Sequence, residues 1–103
     1  HSTYRRRMKV ALIMAKQNIP EGYFTYSKPN GGYTMLISAS DKKVNETALI
    51  KAIDGAGVSV SPGNQSFPFG SEYAHFRLSI AMHDEQQIVD GFEKIGRVLK
   101  LFC

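Results

Sequence analysis

The chain has 103 residues, of which 43% are hydrophobic and 21% charged, and its formal net charge is +4. This length allows one domain with a single core, and the composition is ordinary for a soluble globular protein. No apolar run approaches the ~20 residues that a membrane-spanning helix needs, and the single cysteine excludes an internal disulfide. We therefore expect one domain over residues 1–103, with no membrane contact, in a reducing, cytoplasmic compartment.

The positive charge is concentrated at the start of the chain. The first nine residues contain four basic residues and no acidic one, whereas nine basic and nine acidic residues follow from residue 10 onward. A nucleic-acid-binding surface would extend its basic side chains over a face of the fold. The distribution therefore favours a solvated or partner-facing helix end over nucleic-acid binding.

The first third of the chain predicts a helix and a β-hairpin. Residues 3–17 place apolar side chains along one helical stripe, with Thr3 as the N-cap. The aromatic run 23–26 favours a strand, and so does the run 33–38. Between them, residues 29–32 read Pro-Asn-Gly-Gly, which is a strong turn signal.

The middle of the chain predicts a second helix and a third strand. Asn45 is placed to cap a helix over 46–55, which glycines end. Its predicted inward residues are Ala48, Leu49, Ala52 and Ile53. Residues 58–61 then predict a short strand, which a Pro-Gly pair breaks.

The last third contains the clearest strand and the clearest helix. Apolar and polar residues alternate over 75–81, which predicts a strand with one apolar and one polar face. The apolar set is Phe76, Leu78 and Ile80, and the polar set is His75, Arg77 and Ser79. The final helix begins at Asp84, with Gln87 placed for a capping box. Its apolar residues follow a spacing of four and three: Ile88, Phe92, Ile95, Leu99 and Phe102.

The predicted order is helix, strand, strand, helix, strand, strand, helix. This order indicates an α+β fold, a two-layer sandwich whose mainly antiparallel sheet of three to four strands has its helices on one face. The polar face of strand 75–81 would lie away from the helices, and we expect another surface to cover it.

The sequence contains no local motif for catalysis, for a cofactor or for a metal, so we assign no catalytic, cofactor-binding or metal-binding residue. Arg77 is the residue whose setting suggests binding. A guanidinium held in the middle of a strand offers a planar fork that matches a carboxylate. On spacing alone, a solvated strand arginine is the simpler interpretation.

Three segments of the sequence together indicate a similarity to a known family. Residues 4–7 read Tyr-Arg-Arg-Arg at the start of a predicted helix. Residues 28–35 form a Lys-Pro-Asn-Gly-Gly hairpin that leads into an apolar strand, and the Pro-Gly loop of 57–67 precedes the arginine strand 76–81. This combination resembles the C-terminal small domain of fold type I, class I/II, pyridoxal-phosphate-dependent aminotransferases. The similarity covers nearly the whole chain, in the family's order of elements.

The resemblance implies that Arg77 binds the α-carboxylate of the substrate. Five further residues would lie at the substrate entrance or at a domain junction: Gly31, Gly32, Pro62, Gly63 and Phe67. Two positions depart from the family's pattern, because Ile80 stands where an aromatic residue is common and His75 where a small or aliphatic one is more usual. The choice of amino acid substrate is therefore open.

The resemblance also implies what lies outside the chain. Pyridoxal 5'-phosphate and its Schiff-base lysine would belong to a large domain of the same polypeptide, so the chain alone is expected to bind no cofactor and to be inactive. The parent protein would be a homodimer that transfers an amino group between an amino acid and a 2-oxo acid. Two alternatives stay open: the aminotransferase-like effector domain of a winged-helix transcription regulator, and a free-standing α+β module that binds a ligand or nucleic acid.

Overall fold

The computed structural model describes residues 2–27, 34–62, 73–80 and 84–103. The elements in these ranges are helix α1 (Ser2–Asn18), strands β1 (Phe24–Tyr26) and β2 (Thr34–Ala39), helix α2 (Glu46–Gly55), strands β3 (Ser61–Pro62) and β4 (His75–Ser79), and helix α3 (Glu85–Lys100). The predicted α+β class and the predicted order of elements are confirmed.

The described strands form one antiparallel sheet in the order β1-β2-β4-β3. Strands β2 and β4 are central, and their register places Met35 opposite Leu78 and Ile37 opposite Phe76. Residues directly opposite each other point to the same face of a sheet. These four side chains are at most 5% exposed, so they form the apolar face on which the helices pack.

The core lies between this apolar face and the three helices. Helix α1 packs along α3, while α2 contacts both α3 and β4. Ala11 and Ala15 of α1, like Phe92 and Ile95 of α3, have no exposed surface. At Gly96 the two helices approach so closely that an added Cβ would lie 2.8 Å from the backbone oxygen of Asn18. Glycine is therefore required for this crossing distance.

Side-chain caps fix the starts of two helices as predicted. The Asn45 side chain accepts a hydrogen bond from the N–H of Ala48 at 2.9 Å. At α3, Asp84 Oδ1 accepts from the N–H of Gln87 at 2.8 Å, and the Gln87 side chain accepts from the N–H of Asp84 at 2.9 Å. Both partners of the capping box are thus in place.

The third strand differs from the prediction, because among the described residues of this segment only Ser61 and Pro62 pair with β4, opposite Arg77 and Phe76. Strand β3 lies at the edge of the sheet, where a proline is tolerated because no further strand needs its missing N–H. Val58 is instead buried after α2, where its N–H donates to the Ile53 oxygen at 3.2 Å. The alternating pattern therefore predicted a strand three residues too early.

Two predictions about helices were wrong. Thr3 is not the N-cap, because α1 already includes Ser2. Ala48 does not face the core, since α2 is short and buries a narrow stripe made by Leu49 and Ile53.

Candidate functional site

Arg77 lies in the middle of β4, on the face of the sheet that points away from the core. It is directly opposite Leu36 of β2 and Ser61 of β3. Its neighbours along the strand, Phe76 and Leu78, are buried on the other face. Paired strands on both sides fix the backbone of Arg77, while its side chain is half-buried. A rigid element therefore presents this guanidinium.

The surface around Arg77 is polar. In the strand register, six other residues share its face without being buried: Thr25, Thr34, Leu36, Ser38, Ser61 and Ser79. Five of these carry hydroxyl groups, and no described strand residue on this face is acidic. An anion at this face would meet a planar cation and neutral hydrogen-bond donors, without a repelling carboxylate from the strands. This arrangement suits a carboxylate ligand.

His75 also belongs to this face, but it is buried, with 1% of its surface exposed. Its backbone N–H donates to Glu46 Oε1 at 2.9 Å. Its ring Nδ1 lies 2.8 Å from the carbonyl oxygen of Tyr73 and 3.1 Å from Glu46 Oε1. His75 therefore lies on the predicted polar face, where Glu46, 29 residues away in the sequence, brings a carboxylate against it.

Of the six residues predicted for the site, two lie in the described part of the chain. Arg77 is in β4, and Pro62 is in the adjacent β3, next to the strand partner of Arg77. Gly31, Gly32, Gly63 and Phe67 lie outside the described residues. Sequence reasoning did not anticipate the Glu46–His75 contact, for which no local spacing gives a signal.

An apolar cleft among the described residues has a volume of about 290 Å³. It lies between residues 57–59, the end of β4 and the first turns of α3, and Arg77 does not line it. In the described ranges no three acidic, histidine or cysteine side chains cluster as metal ligands. No helix there is long and apolar enough to cross a membrane.

No family model matches the chain, and no curated protein matches it. Solved structures do match, over almost its whole length. An α-aminoadipate aminotransferase from Thermus thermophilus is 26% identical, with a TM-score of 0.85. A kynurenine aminotransferase from Pyrococcus horikoshii is 22% identical, with a TM-score of 0.82, and a multiple substrate aminotransferase from Thermococcus profundus is 21% identical, with a TM-score of 0.85.

These alignments cover 96%, 98% and 97% of this chain, but 25%, 24% and 24% of the matched chains. The chain thus spans about a quarter of the length of the structures that it matches. The Thermus enzyme was solved with N-(5'-phosphopyridoxyl)-L-leucine, and the Pyrococcus enzyme in complex with PMP. The predicted resemblance is confirmed: this chain has the fold of one part of the fold type I pyridoxal-phosphate-dependent aminotransferases.

Proposed function

We propose that this chain is the C-terminal small domain of a pyridoxal-phosphate-dependent aminotransferase, in which Arg77 binds the α-carboxylate of the amino acid and 2-oxo acid substrates. The observation that carries the proposal is the position of Arg77. It lies at the centre of a polar sheet face whose described strand residues include no acidic one, on a strand paired on both sides. The likeness to solved aminotransferases supports the fold, and the placement of Arg77 supports the role.

The cofactor is proposed to bind to a large domain of the same polypeptide, because the described residues of this chain do not fit it. A lysine that forms a Schiff base usually lies in an apolar pocket, where loss of solvent favours the reactive neutral amine. No described lysine is buried, and Lys94, in α3, is the only one of them that is even half-buried. This chain would therefore contribute to substrate binding and not to the chemistry of the pyridoxal ring.

The proposed role of Arg77 is orientation. A guanidinium donates two parallel hydrogen bonds to a carboxylate, so it fixes the direction of the ligand as well as its position. Since β2 and β3 pair with β4 on both sides, the backbone from which the Arg77 side chain extends is fixed in position. A substrate held in one orientation loses less entropy on the way to the transition state.

The polar sheet face would lie towards the large domain, with the substrate between them. Hydroxyl groups and a half-buried arginine suit a hydrated cleft between domains better than a dry, permanent interface. The homodimeric state of the parent protein and its cytoplasmic location stay predictions.

Replacing Arg77 in the full-length protein tests the proposal. We expect Arg77→Ala to lower kcat/KM for the best amino acid in a panel of the standard twenty by about 100-fold, as for the loss of a charged, bidentate hydrogen-bonded pair. Arg77→Lys keeps the charge but not the fork, so it should recover only part of that loss. The control is Arg6→Ala, which removes an exposed arginine on another element. Unchanged turnover and affinity in Arg77→Ala would contradict the proposal.

The reading frame around residues 1–103 provides an independent test. A large domain upstream supports the aminotransferase. A winged-helix module in addition to it would favour the regulator instead, and a frame limited to these residues would leave only the free-standing module.

A further inference from the structure

A partly buried contact holds the start of the strand that carries Arg77. Strand β4 begins at His75, and Glu46 Oε1 accepts the backbone N–H of His75 at 2.9 Å while lying 3.1 Å from its ring Nδ1. One carboxylate oxygen therefore meets both the main chain and the side chain of the same residue. A charged acceptor makes such hydrogen bonds stronger than neutral ones.

The helix that carries Glu46 is itself fixed. Glu46 is the first residue of α2, whose Leu49 and Ile53 have no exposed surface. Asn45 caps the same helix start. The carboxylate therefore projects from an anchored element, so its contact with His75 restrains the end of β4 relative to the core.

The His75 ring has a defined orientation. Both neighbours of Nδ1, the Tyr73 carbonyl oxygen at 2.8 Å and Glu46 Oε1, are hydrogen-bond acceptors, so Nδ1 carries a proton. Because the ring is buried, it cannot itself reach a ligand in the described structure. Its effect on binding must act through the strand.

We infer that Glu46 and His75 are positioning residues for Arg77, which hold the first residues of β4 so that the guanidinium fork points at the substrate carboxylate. The inference rests on the proposed function. His75 and Arg77 are two residues apart on one face, about 7 Å along the strand. A fork that binds in two-point geometry tolerates little displacement, and a misplacement of about 1 Å can lower a rate by ~100-fold.

A small or aliphatic residue at position 75 would have no side-chain donor for the Tyr73 carbonyl or for Glu46. The contact therefore adds a restraint on β4 beyond the backbone pairing of the sheet.

Four variants of the full-length, cofactor-loaded protein test the inference. His75→Leu removes the ring donor and Glu46→Ala removes the acceptor. His75→Asn places an amide N–H near the position of Nδ1, and Glu46→Gln keeps a neutral oxygen for the His75 N–H. We expect the first two to raise KM for the best amino acid by ~10-fold. His75→Asn should return KM to within about threefold of the unchanged protein, and Glu46→Gln should be intermediate.

Two further measurements separate positioning from a purely structural role. The first is kcat/KM for the amine that has the same side chain but no α-carboxylate, which should change by less than about twofold in all four variants. The second is calorimetric binding of the corresponding 2-oxo acid, whose Kd should rise in step with KM. Equal losses for the amine and the amino acid would show that the contact only stabilises the fold, and would overturn the inference.

Arg77→Ala in the same assay distinguishes the two proposals. The preference for the carboxylate is the ratio of kcat/KM for the amino acid to kcat/KM for the amine. If Arg77→Ala lowers this preference while the His75 and Glu46 variants leave it unchanged, the positioning inference is wrong and the proposed function stands. If Arg77→Ala itself leaves the preference unchanged, both are wrong. Should His75→Leu or Glu46→Ala fail to fold, Glu46→Gln decides, since a preference equal to that of the unchanged protein would contradict positioning.

Discussion

The two faces of strand β4 differ in their surroundings, although their residues alternate along the five positions of the strand. Phe76 and Leu78 point into the core, where they are at most 5% exposed. His75, Arg77 and Ser79 point the other way, among hydroxyl groups of the neighbouring strands. One face is held by apolar packing, whereas on the other face His75 contacts Glu46, a residue of α2. Adjacent substitutions in β4 should therefore affect two different properties, stability and binding.

The largest effect on stability is expected at the core face. Phe76→Ala should lower the free energy of unfolding by about 3–5 kcal/mol, because it removes a fully buried aromatic ring and leaves a cavity. Arg77→Ala, one residue further on, should lower it by about 1 kcal/mol or less. Denaturant unfolding of both variants measures the comparison. Equal losses would show that the two faces do not differ in this way.

The crossing of α1 and α3 should be nearly as sensitive. Gly96→Ala should destabilise the protein by about 1–3 kcal/mol, because the new Cβ would lie 2.8 Å from the Asn18 oxygen and the helices would have to separate. Gly91→Ala is the matched control in the same helix, where no atom lies within 4 Å of the added Cβ. It should stabilise the protein by about 0.5–1 kcal/mol, through helix propensity. Similar thermal unfolding midpoints for the two variants would contradict the close-packed crossing.

The start of α3 should contribute less than either packing site. Asp84→Ala removes both the acceptor for the Gln87 N–H and the capping box, so we expect a loss of about 1 kcal/mol. Asp84→Asn retains a cap of similar strength and should be close to the unchanged protein. Chemical denaturation of the pair measures this difference, and an Asn variant as unstable as the Ala variant would argue against capping.

The smallest effect is expected for the exposed ion pair between α1 and α3. Arg6 Nε lies 3.6 Å from Glu85 Oε1, with 73% and 46% of the two side chains exposed. Solvent screens such a pair, so Arg6→Ala should change the free energy of unfolding by about 0.5 kcal/mol or less. A larger loss that disappears at high salt would show that the pair contributes more than its exposure indicates.

The sequence predicted elements well where the signal is local and less well where it depends on contacts with distant residues. Helix α3 was predicted accurately because its apolar spacing and its capping box are both local signals, and the structure confirms Ile88, Phe92, Ile95 and Leu99 as buried. Strand β3 was displaced because its extent depends on which residues meet β4, and residues 58–61 do not specify that register.

In the candidate site, too, the sequence predicted the local feature and missed the contact between distant residues. The central position of Arg77 between apolar neighbours follows from alternation within β4, so the sequence could identify its face. The contact between His75 and Glu46 could not be predicted, because the two residues lie on different elements, 29 residues apart. Polar contacts between distant segments leave no periodic trace in the sequence, and this one lies two residues from the residue proposed to bind substrate.

The short outer strands of the sheet have a consequence for how copies of the molecule meet. In the described residues, β1 has three residues at one edge, and β3 has two at the other, one of them the proline that lacks an amide hydrogen. A long open edge acts as a template on which a second chain can add a strand. Neither of these described border strands offers a long ladder, so the described edges give a second chain little backbone with which to pair.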